Sequence, residues 1–201
     1  MTTIPALISL DIETLHQKVP EAAVIAIGAA LFVDGVEQTD LRLSLLIDVD
    51  DTLKYGISDV DTMLWHIKQG HEHVAGLGLF QDRSTHLLRD ALNQLSDWIA
   101  SAKAVATSAQ IITRDPDFDI AILNDKYQAL GLIPPWRFYE PRSHRTREED
   151  LRWMQELLGI EVAPTYTKYT KVAHDALADA VSQGEYLCML YRSIMEVTRK
   201  K

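Results

Sequence analysis

Leu7-Ile8-Ser9-Leu10-Asp11-Ile12-Glu13-Thr14 is the stretch on which the reading of this chain turns. An apolar run delivers two carboxylates at positions i and i+2. Side chains alternate across a β-strand, so Asp11 and Glu13 emerge on one face. Like charges held that close resist joint ionisation unless something positive lies between them. A divalent cation meets that need, and an all-oxygen donor set favours Mg²⁺ or Mn²⁺ over zinc. The competing reading is a strand that ends in a solvated acidic turn, because D-x-E triplets are common. Whether further carboxylates follow in a suitable order decides between the two.

Working outward, residues 24–33 form a second apolar run, closed by the turn signal Asp34-Gly35. Residues 41–47 alternate in part, as a half-exposed third strand does. The short link makes these two a hairpin, so the chain opens with a three-strand meander whose first strand bears the acids.

Beyond Asp59 the pattern turns helical. Met63, Leu64, Ile67 and Trp65 line one side of a helix that stops at Gly70. The following loop, 70–78, holds His71-Glu72-His73. With His66 these invite a metal reading, but the spacing is not the H-E-x-x-H of a helical zinc site, and a solvated loop fits better. Residues 84–100 read as an amphipathic helix, with Leu87, Leu88, Ala91, Leu92, Leu95 and Ile99 at spacings of three and four and Ser84 as N-cap. A fourth strand is expected between 104 and 113. Asp115-Pro116-Asp117 ends it, and Phe118-Asp119 opens a helix that reaches about Leu130 and stops at Gly131. Asp117 or Asp119 also suits a simple complement to the helix dipole there.

A short strand is expected within 133–139, entered from Pro134-Pro135. Arg142, Arg145 and Arg147 stand in a basic stretch ahead of a helix from about Glu149 to Leu158. Such arginines read phosphates or simply meet solvent. Residues 166–171 interleave aromatic and basic side chains, a texture found where bases stack and also at ordinary edges. The final helix begins near His174-Asp175.

The length, 201 residues, suits a single domain, 1–201, with its own core. One cysteine, Cys188, excludes an intrachain disulfide and any multi-cysteine metal site, which fits a reducing cytoplasmic setting. No apolar run approaches the roughly 18–20 residues of a membrane span, and no signal peptide is seen. The net charge of −9 argues against a long non-specific nucleic-acid footprint, though not against a small site that grips a few phosphates through cations.

Taken in order, Asp11 and Glu13, then Phe118-Asp119, then His174 and Asp179 five positions apart resemble the DEDDh (DnaQ-like) 3′–5′ exonuclease superfamily. Within it the chain is similar to a phage and bacterial branch: Trp65 with Gln69, Pro135-Trp136-Arg137-Phe138 and Arg142-Ser143-His144-Arg145-Thr146 match its motifs. Two departures stand out, the turn Thr113-Arg114-Asp115-Pro116-Asp117 in place of a Gly/Asn-rich one, and Ser143 where an acid is usual. Spacing alone pairs Asp175 with Asp179, one helical turn apart. The resemblance chooses His174 with Asp179 instead, which requires His174 to precede the helix and leaves Asp175 as a cap or as an outer residue of the site.

The resemblance implies an α/β ribonuclease H-like fold: a mixed five-stranded sheet, strands 1, 4 and 5 parallel, flanked by helices. It implies hydrolysis with two divalent cations, Mg²⁺ or Mn²⁺, held by Asp11, Glu13, Asp119 and Asp179, and His174 as the base that takes a proton from the attacking water. The implied substrate is the 3′ end of single-stranded DNA or RNA, with an oligoribonuclease-like enzyme on short RNA or a non-catalytic end-binding domain as alternatives. Thr14, Leu15, His16, Trp65, Phe118, Arg142 and Arg145 are the expected substrate contacts, with Leu15 or His16 wedged against the terminal base. Several relatives pair, so a homodimer is left open.

Overall fold

The computed structural model describes residues 3–69, 85–169 and 175–199, with the backbone alone at 168 and 169. Five strands form one sheet: β1 Leu7–Thr14, β2 Val24–Val33, β3 Val36–Leu46, β4 Gln110–Thr113 and β5 Arg142–Ser143, in the order β3-β2-β1-β4-β5. The first three pair antiparallel, and β1, β4 and β5 run parallel, as expected. Asp34 and Gly35 both adopt positive φ, 50° and 78°. A two-residue turn of that kind matches the twist of a hairpin, and glycine adopts it without strain.

The helices are α1 Val49–Thr52, α2 Val60–Lys68, α3 Leu88–Val105, α4 Asp119–Ala129, α5 His144–Leu158, α6 Tyr166–Tyr169 and α7 Ala176–Thr198. Period-two alternation sorts β1 between two layers. Ile8, Leu10 and Ile12 share a core with Leu88, Leu92, Leu95 and Ile99 of α3 and Ile120 and Leu123 of α4. Leu7 joins Phe32 and Ile112 under Leu151 of α5 and Tyr186, Leu187 and Leu190 of α7. Asp11 and Glu13 have the parity of Leu7, so they belong to the α7 face.

Four expectations about elements need correction. Helix α3 starts at Leu88, not at residue 84. The chain before it is extended, with His86 bridged to Ile47, and the Asp51 carboxylate accepts from the Leu88 N–H at 2.8 Å, so the cap comes from α1. Ser84 lies outside the described residues. At its other end α3 runs on to Val105 rather than ending near residue 100, and β4, Gln110–Thr113, falls within the window 104–113 expected for it. No strand forms within 133–139, where Pro134 and Pro135 remove ladder donors; the fifth strand is the two residues after Pro141. Finally, α5 begins at His144, capped by Ser143, whose hydroxyl accepts from Thr146 N–H at 3.3 Å. Arg145 and Arg147 are therefore helical rather than in a basic loop.

Among the described residues no helix is long and apolar enough to cross a membrane. Ala180, Tyr186, Leu187, Cys188 and Leu190 of α7 are buried within the chain itself.

Candidate metal centre

Asp11 pairs with Gly28 across β1 and β2. A side chain at Gly28 would begin 2.1 Å from the carbonyl carbon of Ala176, so the first turn of α7 rests on bare backbone beside Asp11. Asp175 caps that turn, its Oδ1 accepting from Ala178 N–H at 2.8 Å, as the sequence suggested. Asp179 follows in the same turn. One carboxylate oxygen each from Asp11, Glu13 and Asp179 lies within 4.8 Å of the others.

Asp119 completes the set from the start of α4, almost fully buried at 4% exposure, with Oδ2 accepting from Asp115 N–H at 3.4 Å. The four acids line a cleft of about 210 Å³ together with Arg114, Asp115 and Phe118.

Burial and mutual repulsion make all four carboxylates hold protons more tightly than usual. For Asp11, burial acts first, then the charges of Asp119, Glu13 and Asp179, and its pKa rises well above the ordinary range. Burial, then Asp179, Asp175 and Asp119, push Glu13 up to about 8. Burial also lifts Asp119 to about 7, opposed by backbone N–H groups, and Asp179 to about 6, where Asp175 adds to it. Oxygen donors gathered at this density, with no cationic side chain bonded to them among the described residues, fit a divalent cation.

A second cavity of about 510 Å³ adjoins the cleft through Glu13 and Phe118 and is lined by Thr14, His16, Trp65 and His66. Trp65 is 39% exposed there. His66 is buried, its Nε2 2.9 Å from the Thr14 carbonyl oxygen, which ties α2 to the end of β1. Its Nε2 is thus engaged with backbone; His71, Glu72 and His73 lie outside the described residues.

The expected contacts divide. Thr14, His16, Trp65 and Phe118 face the cavity. Leu15 does not: it is 1% exposed and packed among Ala23, Ile25, Ala26 and Ala176, so only His16 of the expected wedge pair meets solvent. The Arg142 guanidinium donates to the carbonyls of Tyr139, Glu140 and Pro141 and so ties down the loop before β5. Arg145 pairs with Asp115 at 2.7 Å and thereby reaches the rim of the cleft. Tyr166, read as part of an aromatic and basic surface, is buried beside His144 and Tyr186. His174 lies outside the described residues.

Two residues went unnoticed as site components. Gln183 donates Nε2–H to Asp11 Oδ1 at 2.9 Å. Arg114 lies 4.5 Å over the Tyr166 ring, donates Nη1–H to His144 Nδ1 at 2.7 Å, and approaches Glu148 at 3.3 Å. His144 is fully buried, and burial, then the Arg114 charge, push it down to about 3, so it stays neutral and accepts. The unusual turn at 113–117 carries Arg114, which was the one signal available for it.

The sequence matches the model of the family described as the 3′–5′ exoribonuclease Rv2179c-like domain over residues 6–190. No curated protein matches it. Among solved structures it is similar to the nuclease domain of 3′hExo, a DEDDh family member bound to rAMP, with TM-score 0.55 and 14% identity over 94% of this chain and 91% of that one. Cell-death related nuclease 4 (CRN-4) gives TM-score 0.60 and 9% identity over 95% of this chain and 65% of that one. S. pombe Pop2p, in its Mg²⁺- and Mn²⁺-bound form, gives TM-score 0.57 and 13% identity over 95% and 84%. At such identities the likeness is one of fold, and it is the ribonuclease H-like fold that the motif order implies.

Proposed function

This chain belongs to the Rv2179c-like 3′–5′ exoribonuclease domain family, and from that membership and the acids at the end of β1 we propose that it releases nucleoside 5′-monophosphates from the 3′ end of single-stranded RNA. The observation that carries the reading is the convergence of Asp11, Glu13 and Asp179 within 4.8 Å, with Asp119 lining the same cleft. Asp11 would be shared between two divalent cations, Glu13 and Asp179 completing one and Asp119 supporting the other. Once bound, such a pair, Mg²⁺ or Mn²⁺, stabilises the charge that develops on the attacking and leaving oxygens.

The remaining work falls to the chain. The imidazole of His174 accepts the proton of the attacking water. His174 precedes the Asp175 cap by one residue, the place that the resemblance assigns to the base. Trp65 and Phe118 offer ring faces to the terminal base in the adjoining cavity, and Thr14 and His16 offer polar groups to its sugar. Arg114, braced by His144 and Glu148, supplies positive charge beside a cleft that is otherwise acidic. RNA is proposed over DNA on the family's description and on the rAMP that 3′hExo binds.

The test is hydrolysis of 5′-labelled RNA and DNA of one sequence with Mn²⁺. The expected result is a ladder that shortens from the 3′ end, faster on RNA, yielding nucleoside 5′-monophosphates and lost in Asp11→Ala and in His174→Ala. Faster loss of DNA would reverse the substrate assignment, and a ladder that survives Asp11→Ala would overturn the site.

A further inference from the structure

We propose that Gln183 is a positioning residue that orients the Asp11 carboxylate for cation binding, a role that rests on the metal reading above. Gln183 stands one helical turn beyond Asp179 on α7, so the same stripe of the helix reaches the cleft twice. Its side chain is 3% exposed, and its Nε2–H···Oδ1 bond to Asp11 measures 2.9 Å. Among the described residues it is the one side chain that donates a hydrogen bond to any of the four acids.

The chemistry of that donor is specific. A lysine or arginine at this point would neutralise Asp11 and compete with a cation. A carboxamide fixes one oxygen and leaves the carboxylate charge in place, with Oδ2 and the second lone pair of Oδ1 still able to ligate. The opposite end of the amide argues against a packing role, because Oε1 is buried and bonds to nothing among the described residues. An apolar side chain of that length would fill the space without an orphaned acceptor.

The test compares wild type with Gln183→Met, which keeps the length but loses the donor, and Gln183→Asn, which keeps the amide but falls one methylene short. Mn²⁺ affinity is measured by calorimetry, and melting of the cation-free protein is followed alongside. Both variants are expected to bind Mn²⁺ about tenfold or more weakly, the usual consequence of losing a group that orients a ligand. Cation-free melting of Gln183→Met should not fall below wild type, the Michaelis constant for RNA at saturating Mn²⁺ should stay unchanged, and hydrolysis should recover as Mn²⁺ is raised. Wild-type affinity in either folded variant overturns the proposal, as does a loss in Gln183→Met matched by a lowered cation-free melting temperature. Asp11→Asn separates the two levels: if it abolishes Mn²⁺ binding while the Gln183 variants bind normally, the metal centre stands and this role falls. If wild type binds no Mn²⁺, both fall.

Discussion

Glu13 keeps its proton to about pH 8 because burial and the charges of Asp179, Asp175 and Asp119 all oppose its ionisation. In the unfolded chain it ionises near 4.5. The folded state therefore binds this proton more tightly, and stability is lost as pH rises from about 4.5 through about 8. Glu13→Gln removes that penalty. Without added cations the variant should melt above wild type at pH 8 by at least about 2 °C, the shift that roughly 1 kcal/mol causes in a chain of this size, and level with it at pH 4.5. Calorimetric melting at the two pH values checks this. At the same scale, Asp11 and Glu13 were legible because strand alternation puts i and i+2 together, and Asp119 and Asp179 because a resemblance supplied their order. Gln183 was not, since its bond to Asp11 spans 172 positions and no local pattern records it. Leu15 was misread for a related reason: that the chain turns inward there depends on Ala23, Ile25 and Ala176, none of which the stretch Leu7–Thr14 reveals.

The elements meet through a few contacts that single substitutions can probe. Gly28→Ala would drive a methyl group into the Ala176 and Leu177 backbone at 2.1–2.2 Å and displace the turn that carries Asp179. It should destabilise the chain by about 1–3 kcal/mol in urea unfolding, as overpacking does, and weaken Mn²⁺ binding with it. Asp51→Ala should behave differently. It removes the carboxylate that accepts from Leu88 N–H at the start of α3, costing about 1 kcal/mol in the same unfolding measurement, and leaves RNA hydrolysis at 25 °C unchanged. Such long-range caps explain where element boundaries were misplaced. The apolar spacing of α3 was plain, but its first turn is set by a residue 37 positions earlier. Helix α5 carried a local signal, Ser143 as cap, which the run of arginines after it obscured; Pro134 and Pro135 were a stronger sign against a strand than the aromatic residues were for one.

At the scale of the whole molecule, an acidic chain concentrates four of its carboxylates in one cleft, and on the proposed function a bound cation would relieve the strain that this places on folding. Asp11, Glu13, Asp119 and Asp179 all take up protons more readily folded than unfolded, so the cation-free protein should lose stability from about pH 4 to pH 8. Mn²⁺ or Mg²⁺ at one hundred times its dissociation constant should restore about 2.7 kcal/mol at pH 8, read as a rise in melting temperature that Asp11→Asn lacks. The meander was legible here from strand alternation and the Asp34-Gly35 turn, which are local properties of the chain, whereas the parallel arrangement of strands 1, 4 and 5 came from the resemblance alone. The two-residue β5 was not legible, since its pairing to Ile112 and Thr113 is visible only once β4 is in place. The most direct measurement is anomalous diffraction from crystals grown with Mn²⁺ and a nucleoside 5′-monophosphate near pH 8. The account predicts two peaks roughly 3.5–4 Å apart between Asp11, Glu13, Asp119 and Asp179. Crystals with the nucleotide bound elsewhere and no peak among those acids would contradict it.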